Sequence, residues 1–161
     1  FSSKKYLELI IPQLESLSKK VDFKLLVIGN FSFSHAFLNI EVLQWSESEE
    51  IKQLHRIDIG LYPLPNDKWI TGKSGLKTLQ YMAIGLPSVS SKYGNINNII
   101  SHEIDGFLVE NNEEWIERLE QLILDQSYRK LMGKNAKRKF DSCFSQDINQ
   151  KKYLDILETV T

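Results

Sequence analysis

The residues best suited to chemistry are Gly72, Lys73, Ser74 and Gly75, with Thr71 before them, standing directly ahead of a stretch with helical spacing. A helix start offers backbone N–H groups that lack an intrahelical partner, together with the positive end of the helix dipole, and glycines let a ligand come close to the backbone. Such a corner binds an anion, phosphate above all. Lys73 adds a mobile point charge that can pair with a diphosphate. Gln80, little more than one turn into the helix, can face the same cleft and hydrogen-bond a hydroxyl. The plain alternative is an ordinary surface loop in which Lys73 is solvated and Gln80 is a surface amide. Gly72-Lys73-Ser74 is not the phosphate loop of nucleotide hydrolases, because the glycine that motif needs five residues earlier is Asp67.

Other chemistries find less support. His35, His55 and His102 show no metal-ligand spacing, and no nucleophile motif of the Gly-x-Ser-x-Gly type occurs, so metal and Ser-His-Asp catalysis are not expected. No cofactor is expected. The chain has 161 residues with 20 basic and 21 acidic side chains, which disfavours bulk electrostatic binding of nucleic acid. A lone cysteine, Cys143, reads as a small buried apolar group and rules out an internal disulfide. Trp45, after a strand, could wall a base or a sugar, and Trp69 lies in the ligand loop; core packing is the default for either. Arg129, Lys130, Lys134, Lys137, Arg138 and Lys139 make one helix face basic, either a solvated face or a contact for anionic lipid headgroups. With no secretion signal and no membrane-spanning run, the expected compartment is the cytoplasm, with the inner face of the membrane as a peripheral site. The start, in a helical pattern and without Met, is that expected of a piece of a longer polypeptide.

The elements that must hold these residues alternate. The spacing predicts a helix from the Ser2/Ser3 caps to about Lys20, kinked at Pro12, then a strand Phe23–Gly29 buried on both faces. A second strand at Phe37–Leu43, a helix opening near Ser46 or Ser48 and a third strand at Asp58–Leu64 follow. After the loop 65–74 come a helix Gly75–Ile84, a strand Pro87–Ser91, a short helix Asn95–Ser101, and a strand at Gly106–Val109. Helices at Asn112–Leu124, Ser127–Phe140 and Ser145–Thr159 close the chain. Strands and helices alternating at short spacing predict an α/β fold with an open parallel sheet covered by helices on both faces. Ligands of such sheets sit at the carboxyl ends of the strands, here near residues 29–34, 43–47, 64–75 and 91–95.

Three segments in order carry a resemblance: Asp58-Ile-Gly-Leu-Tyr-Pro-Leu-Pro65, Gly72-Lys-Ser-Gly-Leu-Lys-Thr-Leu-Gln-Tyr-Met-Ala-Ile-Gly-Leu-Pro-Ser-Val-Ser90, and Asp105-Gly-Phe-Leu-Val109. Over nearly its whole length the chain resembles the carboxyl-terminal domain of GT-B glycosyltransferases of family 4, the glycosyl transferases group 1. The resemblance implies a Rossmann-like domain over residues 1–143 with a carboxyl-terminal helix over 144–161, lacking the domain's first strand. It implies a nucleotide-diphosphate sugar as substrate, an acceptor held by a separate amino-terminal domain, and a role in bacterial surface polysaccharide synthesis. The isolated chain is then expected to be inactive. The family's usual pair of glutamates, eight positions apart, falls on Gly72 and Gln80, and Asn98 stands where a glutamate is common.

Transfer with retained anomeric configuration is implied, with no metal ion. Charge on the leaving diphosphate would be met by the amides of Gly72, Ser74 and Gly75, the helix dipole and Lys73, and the ribose by Gln80. Leu43, Gln44 and Trp45 would hold the base; Tyr93 and Gly94 would border the diphosphate or sugar. Two other readings stay open: a non-catalytic binding or scaffold domain of the same fold, and a related sugar-nucleotide epimerase.

Overall fold

The computed structural model describes residues 4–67, 70 and 72–160. The Ser2 and Ser3 caps, Trp69 and Thr71 lie outside the described residues. In chain order the elements are α1 (Lys4–Glu8), α2 (Ile11–Ser18), β1 (Leu25–Ile28), β2 (Ile40–Leu43), α3 (Glu50–Leu54), β3 (Gly60–Tyr62), α4 (Leu76–Ala83), β4 (Ser88–Ser91), α5 (Ile96–Ile99), β5 (Phe107–Val109), α6 (Asn112–Leu124), α7 (Gln126–Cys143) and α8 (Gln146–Val160).

Every strand pairing is parallel, as the alternation predicts. The strands form two hydrogen-bonded sheets, β1–β2 and β3–β4–β5, where the sequence pattern predicts one. In β5, Phe107 and Val109 enter one apolar cluster with α2, β1 and α6, and Leu108 enters the other with α4 and α5. Alternate residues of a strand point to opposite faces, so these two clusters are the two helix-covered sides of the sheet.

Four local expectations are corrected. The amino-terminal helix does not kink at Pro12 but ends at Glu8 and restarts at Ile11, which places Pro12 in the first turn of α2, where its missing N–H costs no hydrogen bond. β2 starts at Ile40, since Phe37 is 74% exposed and contributes nothing to the core. In β1 only Leu25 and Val27 are buried; Leu26 and Ile28 are partly open, because a cavity runs along that strand. Cys143 is half-buried at the end of α7 rather than part of the core.

That cavity, of about 1060 Å³, lies between the two sheets. Its walls follow β1 from Asp22 to Asn30 on one side and take in Arg56 to Ile59 and Leu61 to Pro63 on the other, with Leu14, Leu17, Leu119 and Ile123 among its apolar lining. Leu25 and Gly29 donate backbone N–H bonds to Asn39 and Leu43 on the β2 side, so the backbone groups of Leu26 and Ile28 turn the other way, toward β3.

Candidate functional site

The loop after β3 returns to α4 through Gly75, the residue before the first helical turn, whose φ of +75° is left-handed and suits glycine. A Cβ at Gly75 would lie 2.4 Å from Ile99 Cδ1 and 2.8 Å from Ile96 Cδ1, so the loop is pressed onto α5. Among the described residues no side chain caps α4. Its opening amides therefore keep the anion-binding character expected of a helix start. The amide of Lys73 is used differently, donating to Ile70 O at 3.0 Å. Gly72 and Ser74 are exposed, nothing lies within 4 Å of where a Gly72 side chain would start, and Ser74 O accepts from Asn95 Nδ2 at 3.4 Å.

Lys73 reaches from this loop to α1, where its Nζ donates to the Tyr6 hydroxyl at 3.1 Å and lies 4.2 Å from the centre of the Tyr6 ring. That hydrogen bond is the main cause holding the Tyr6 hydroxyl below the usual tyrosine range, with burial working against it. Lys77, in the first turn of α4, joins the same wall of the cavity. Loss of water is the first cause that holds its ammonium below the usual lysine range, the charge of Lys73 is the second, and Glu50 opposes both. Gln80 is half-buried on the same helix, and its Nε2 donates to Glu50 Oε1 at 3.2 Å. Tyr81 donates to Leu61 O at 3.3 Å, and burial pushes its hydroxyl up to about 12.

The end of β2 supplies the facing wall. Asn30 Oδ1 accepts from Gln44 Nε2 at 2.7 Å and from the Trp45 amide at 3.1 Å, which fixes the turn after β2. Gln44 O accepts from Gln53 Nε2, Leu43 O accepts the amide of Gly29, and Trp45 is 43% exposed, its ring against the cavity rather than in the core.

Of the residues expected to bind the donor, the cavity gathers Lys73, Gln80 and Trp45, and Arg129 of the basic helix face lines it as well. Gly72, Ser74, Gly75, Leu43, Gln44, Tyr93 and Gly94 are not part of its lining. Tyr93 packs against the cluster of α4 and α5, its amide bonded to Ser91 O, and Gly94 turns with φ of +57°. Asn98 donates to Asn95 Oδ1. Three residues of the site were not anticipated: Tyr6, Lys77 and Glu50. Lys77 was within reach, since Lys73, Lys77 and Gln80 recur at helical steps. Glu50 stands in the first turn of α3, and its meeting with α4 is a tertiary contact with no local signal.

The basic run of α7 is partly spent within the fold. Lys139 pairs with the buried carboxylate of Asp105 at 3.2 Å, Arg129 donates to Leu122 O and Ile123 O, and Lys137 pairs with Asp141. No helix among the described residues is long and apolar enough to cross a membrane.

Nothing among curated proteins matches the chain. Solved structures do, and each is similar in fold. Sucrose-phosphate synthase from Thermosynechococcus elongatus superposes with a TM-score of 0.69 at 14% identity, over 94% of this chain and 43% of that one. Anabaena HepE, in a complex described as containing UDP-glucose, gives 0.60 at 17% identity over 98% of this chain and 38% of that one. The carboxyl-terminal domain of a glycosyl transferase group 1 family protein, LpcC, from Francisella tularensis gives 0.57 at 22% identity over 67% of this chain and 55% of that one. This chain thus spans less than two thirds of each of these relatives, and its parallel α/β arrangement matches carboxyl-terminal domains of GT-B glycosyltransferases. The family model for glycosyl transferases group 1 matches residues 1–139, covering the β3 strand, the Lys73 loop, α4 and the Asp105 segment together. The chain belongs to the glycosyl transferases group 1 family.

Proposed function

We propose that this chain is the donor-binding part of a glycosyltransferase and takes the nucleoside diphosphate of a sugar nucleotide, the sugar then passing to an acceptor held by another domain. The observation that carries the reading is the joining of a family match with a cationic cavity wall: Lys73, Lys77 and Gln80 on and before one helix, across from Trp45. HepE, a structural relative, was crystallised with UDP-glucose, which supports the same ligand class here.

In this reading the bond from the anomeric carbon to the diphosphate breaks with its electron pair on the departing oxygen, an acceptor hydroxyl oxygen forms the new bond to that carbon, and the hydroxyl proton passes to the departing diphosphate. Fixed dipoles and cations aimed at that developing charge lower the barrier because they need no reorganisation during the reaction. The opening amides of α4 and the ammonium groups of Lys73 and Lys77 supply this. Lys73 exchanges the Tyr6 hydroxyl for a phosphate oxygen, a stronger acceptor because it is charged. Lys77, whose ammonium is disfavoured by loss of water and by the charge of Lys73, also gains from a nearby anion. Gln80 bonds the ribose, and Trp45 stacks on the base. Retained configuration, charge balance by these groups rather than by a metal ion, and a bacterial surface polysaccharide as acceptor complete the proposal.

Titration calorimetry with UDP, GDP and ADP on the full-length enzyme tests it. Lys73→Ala and Gln80→Ala should each weaken the best ligand by about 1–3 kcal/mol, because each removes a charged or polar contact from a partly dry cleft. Unchanged affinity in both variants would refute the assignment.

A further inference from the structure

We infer that Glu50 supplies a carboxylate that reads the ribose diol beside the Gln80 carbonyl, with the Gln80 amide nitrogen holding that carboxylate in place. This deepens the proposed function and rests on it.

Position 80 carries an amide, and an amide alone offers a hydroxyl pair one uncharged acceptor. The structure places a charge beside it from a different element: Glu50, the first residue of α3, accepts from Gln80 Nε2 at 3.2 Å. A carboxylate can only accept, so this contact sets the amide with its nitrogen toward Glu50 and its carbonyl oxygen away. One lone-pair direction of Glu50 Oε1 is thereby occupied, and its other oxygen remains for a ligand. A vicinal diol presents two O–H donors, and a carboxylate beside an amide carbonyl presents matching acceptors, with charge assistance on the carboxylate.

Both side chains are half-buried and line the same cavity as Lys73, Lys77 and Trp45. The other carboxylates along that cavity are committed: Glu41 to Arg56 and Lys24, and Asp58 to Arg129. Asp22 lies at the opposite end, at the start of β1. Glu50 also sits close enough to Lys77 to act on its charge. The wall thus runs from two cations, suited to a diphosphate, to one anion, suited to a sugar hydroxyl pair, and discriminates the two halves of a nucleotide by sign.

The experiment compares UDP, GDP and ADP with their 2′-deoxy forms by calorimetry on the full-length enzyme. Wild type should prefer the ribose form about tenfold or more. Glu50→Gln should cut ribonucleotide affinity about tenfold while leaving the deoxy form within about twofold, so the preference collapses. The swapped pair, Glu50→Gln with Gln80→Glu, should recover it, which a merely misfolded variant would not do. Glu49→Gln, at an exposed acid paired with Lys52, should leave both affinities unchanged. If Glu50→Gln binds ribonucleotides with the preference intact, Glu50 only ties α3 to α4 and this inference is overturned while the proposed function stands. If wild type binds no ribonucleotide at all, the proposed function falls and takes the inference with it.

Discussion

Two glycines three residues apart should respond very unequally to the same substitution. At Gly75, alanine must adopt a left-handed φ of 75°, and its Cβ meets Ile99 Cδ1 at 2.4 Å and Ile96 Cδ1 at 2.8 Å. The backbone term is about 1–2 kcal/mol. Both neighbours are buried, so they yield only by repacking α5, a further cost of about 1–3 kcal/mol. The sum, about 2–5 kcal/mol, lowers Tm by about 5–15 °C in a domain of this size. At Gly72 nothing lies within 4 Å and φ is ordinary, so Gly72→Ala should cost less than about 0.5 kcal/mol. Differential scanning calorimetry of the two variants beside wild type gives the comparison. A Gly75→Ala melting point within about 1 °C of wild type, or a Gly72→Ala loss as large as that of Gly75→Ala, would refute both the loop geometry and its clamp onto α5.

Gly133→Ala should destabilise by about 2–3 kcal/mol in urea unfolding, because its Cβ would lie 2.2 Å from the carbonyl oxygen of Gly85, an atom that cannot rotate away, and α7 must lift off the end of α4. Asp105→Asn should cost about 1.5–3 kcal/mol in the same assay, since the Asp105 carboxylate is 3% exposed, accepts from Ser101 N at 2.8 Å and pairs with Lys139 at 3.2 Å. Burial raises Tyr81 to about 12, so its share of stability is complete below the ordinary tyrosine value and is lost as pH climbs toward the folded value. That share is about 2–3 kcal/mol between about pH 10 and pH 12, and Tyr81→Phe should flatten this part of the alkaline stability profile.

The parallel architecture was legible because its signals are local: apolar runs such as Leu25–Ile28 ending at a glycine, and Gly85 with Pro87 closing α4. The loop that opens α4 was legible as a helix start for the same reason, while the left-handed turn at Gly75 and its clamp onto Ile96 and Ile99 were not read from the pattern. Pro12 was misread because a proline inside a helical pattern is compatible with a kink or with a fresh first turn, and only the packing of Ile11, Leu14 and Leu17 chooses between them. The half-open face of β1 could not be read, because an apolar run has the same appearance whether a neighbouring sheet continues beside it or stops. Lys73 was identified by position, but its partner Tyr6 lies 67 residues away, and Glu50 meets Gln80 across 30. Contacts of that separation depend on how α1 and α3 land on the cavity, which no spacing rule encodes.

The division between β1 and β3 has a bearing on handling the chain by itself. Backbone donors and acceptors of Leu26 and Ile28 along a trench of aliphatic walls form a ready template, and foreign peptide laid against β1 gains ladder hydrogen bonds there, while Tyr81 already holds Leu61 O on the other flank. Crowded solutions should therefore drive this polypeptide into intermolecular ladders, and dilute, cold storage should keep it single.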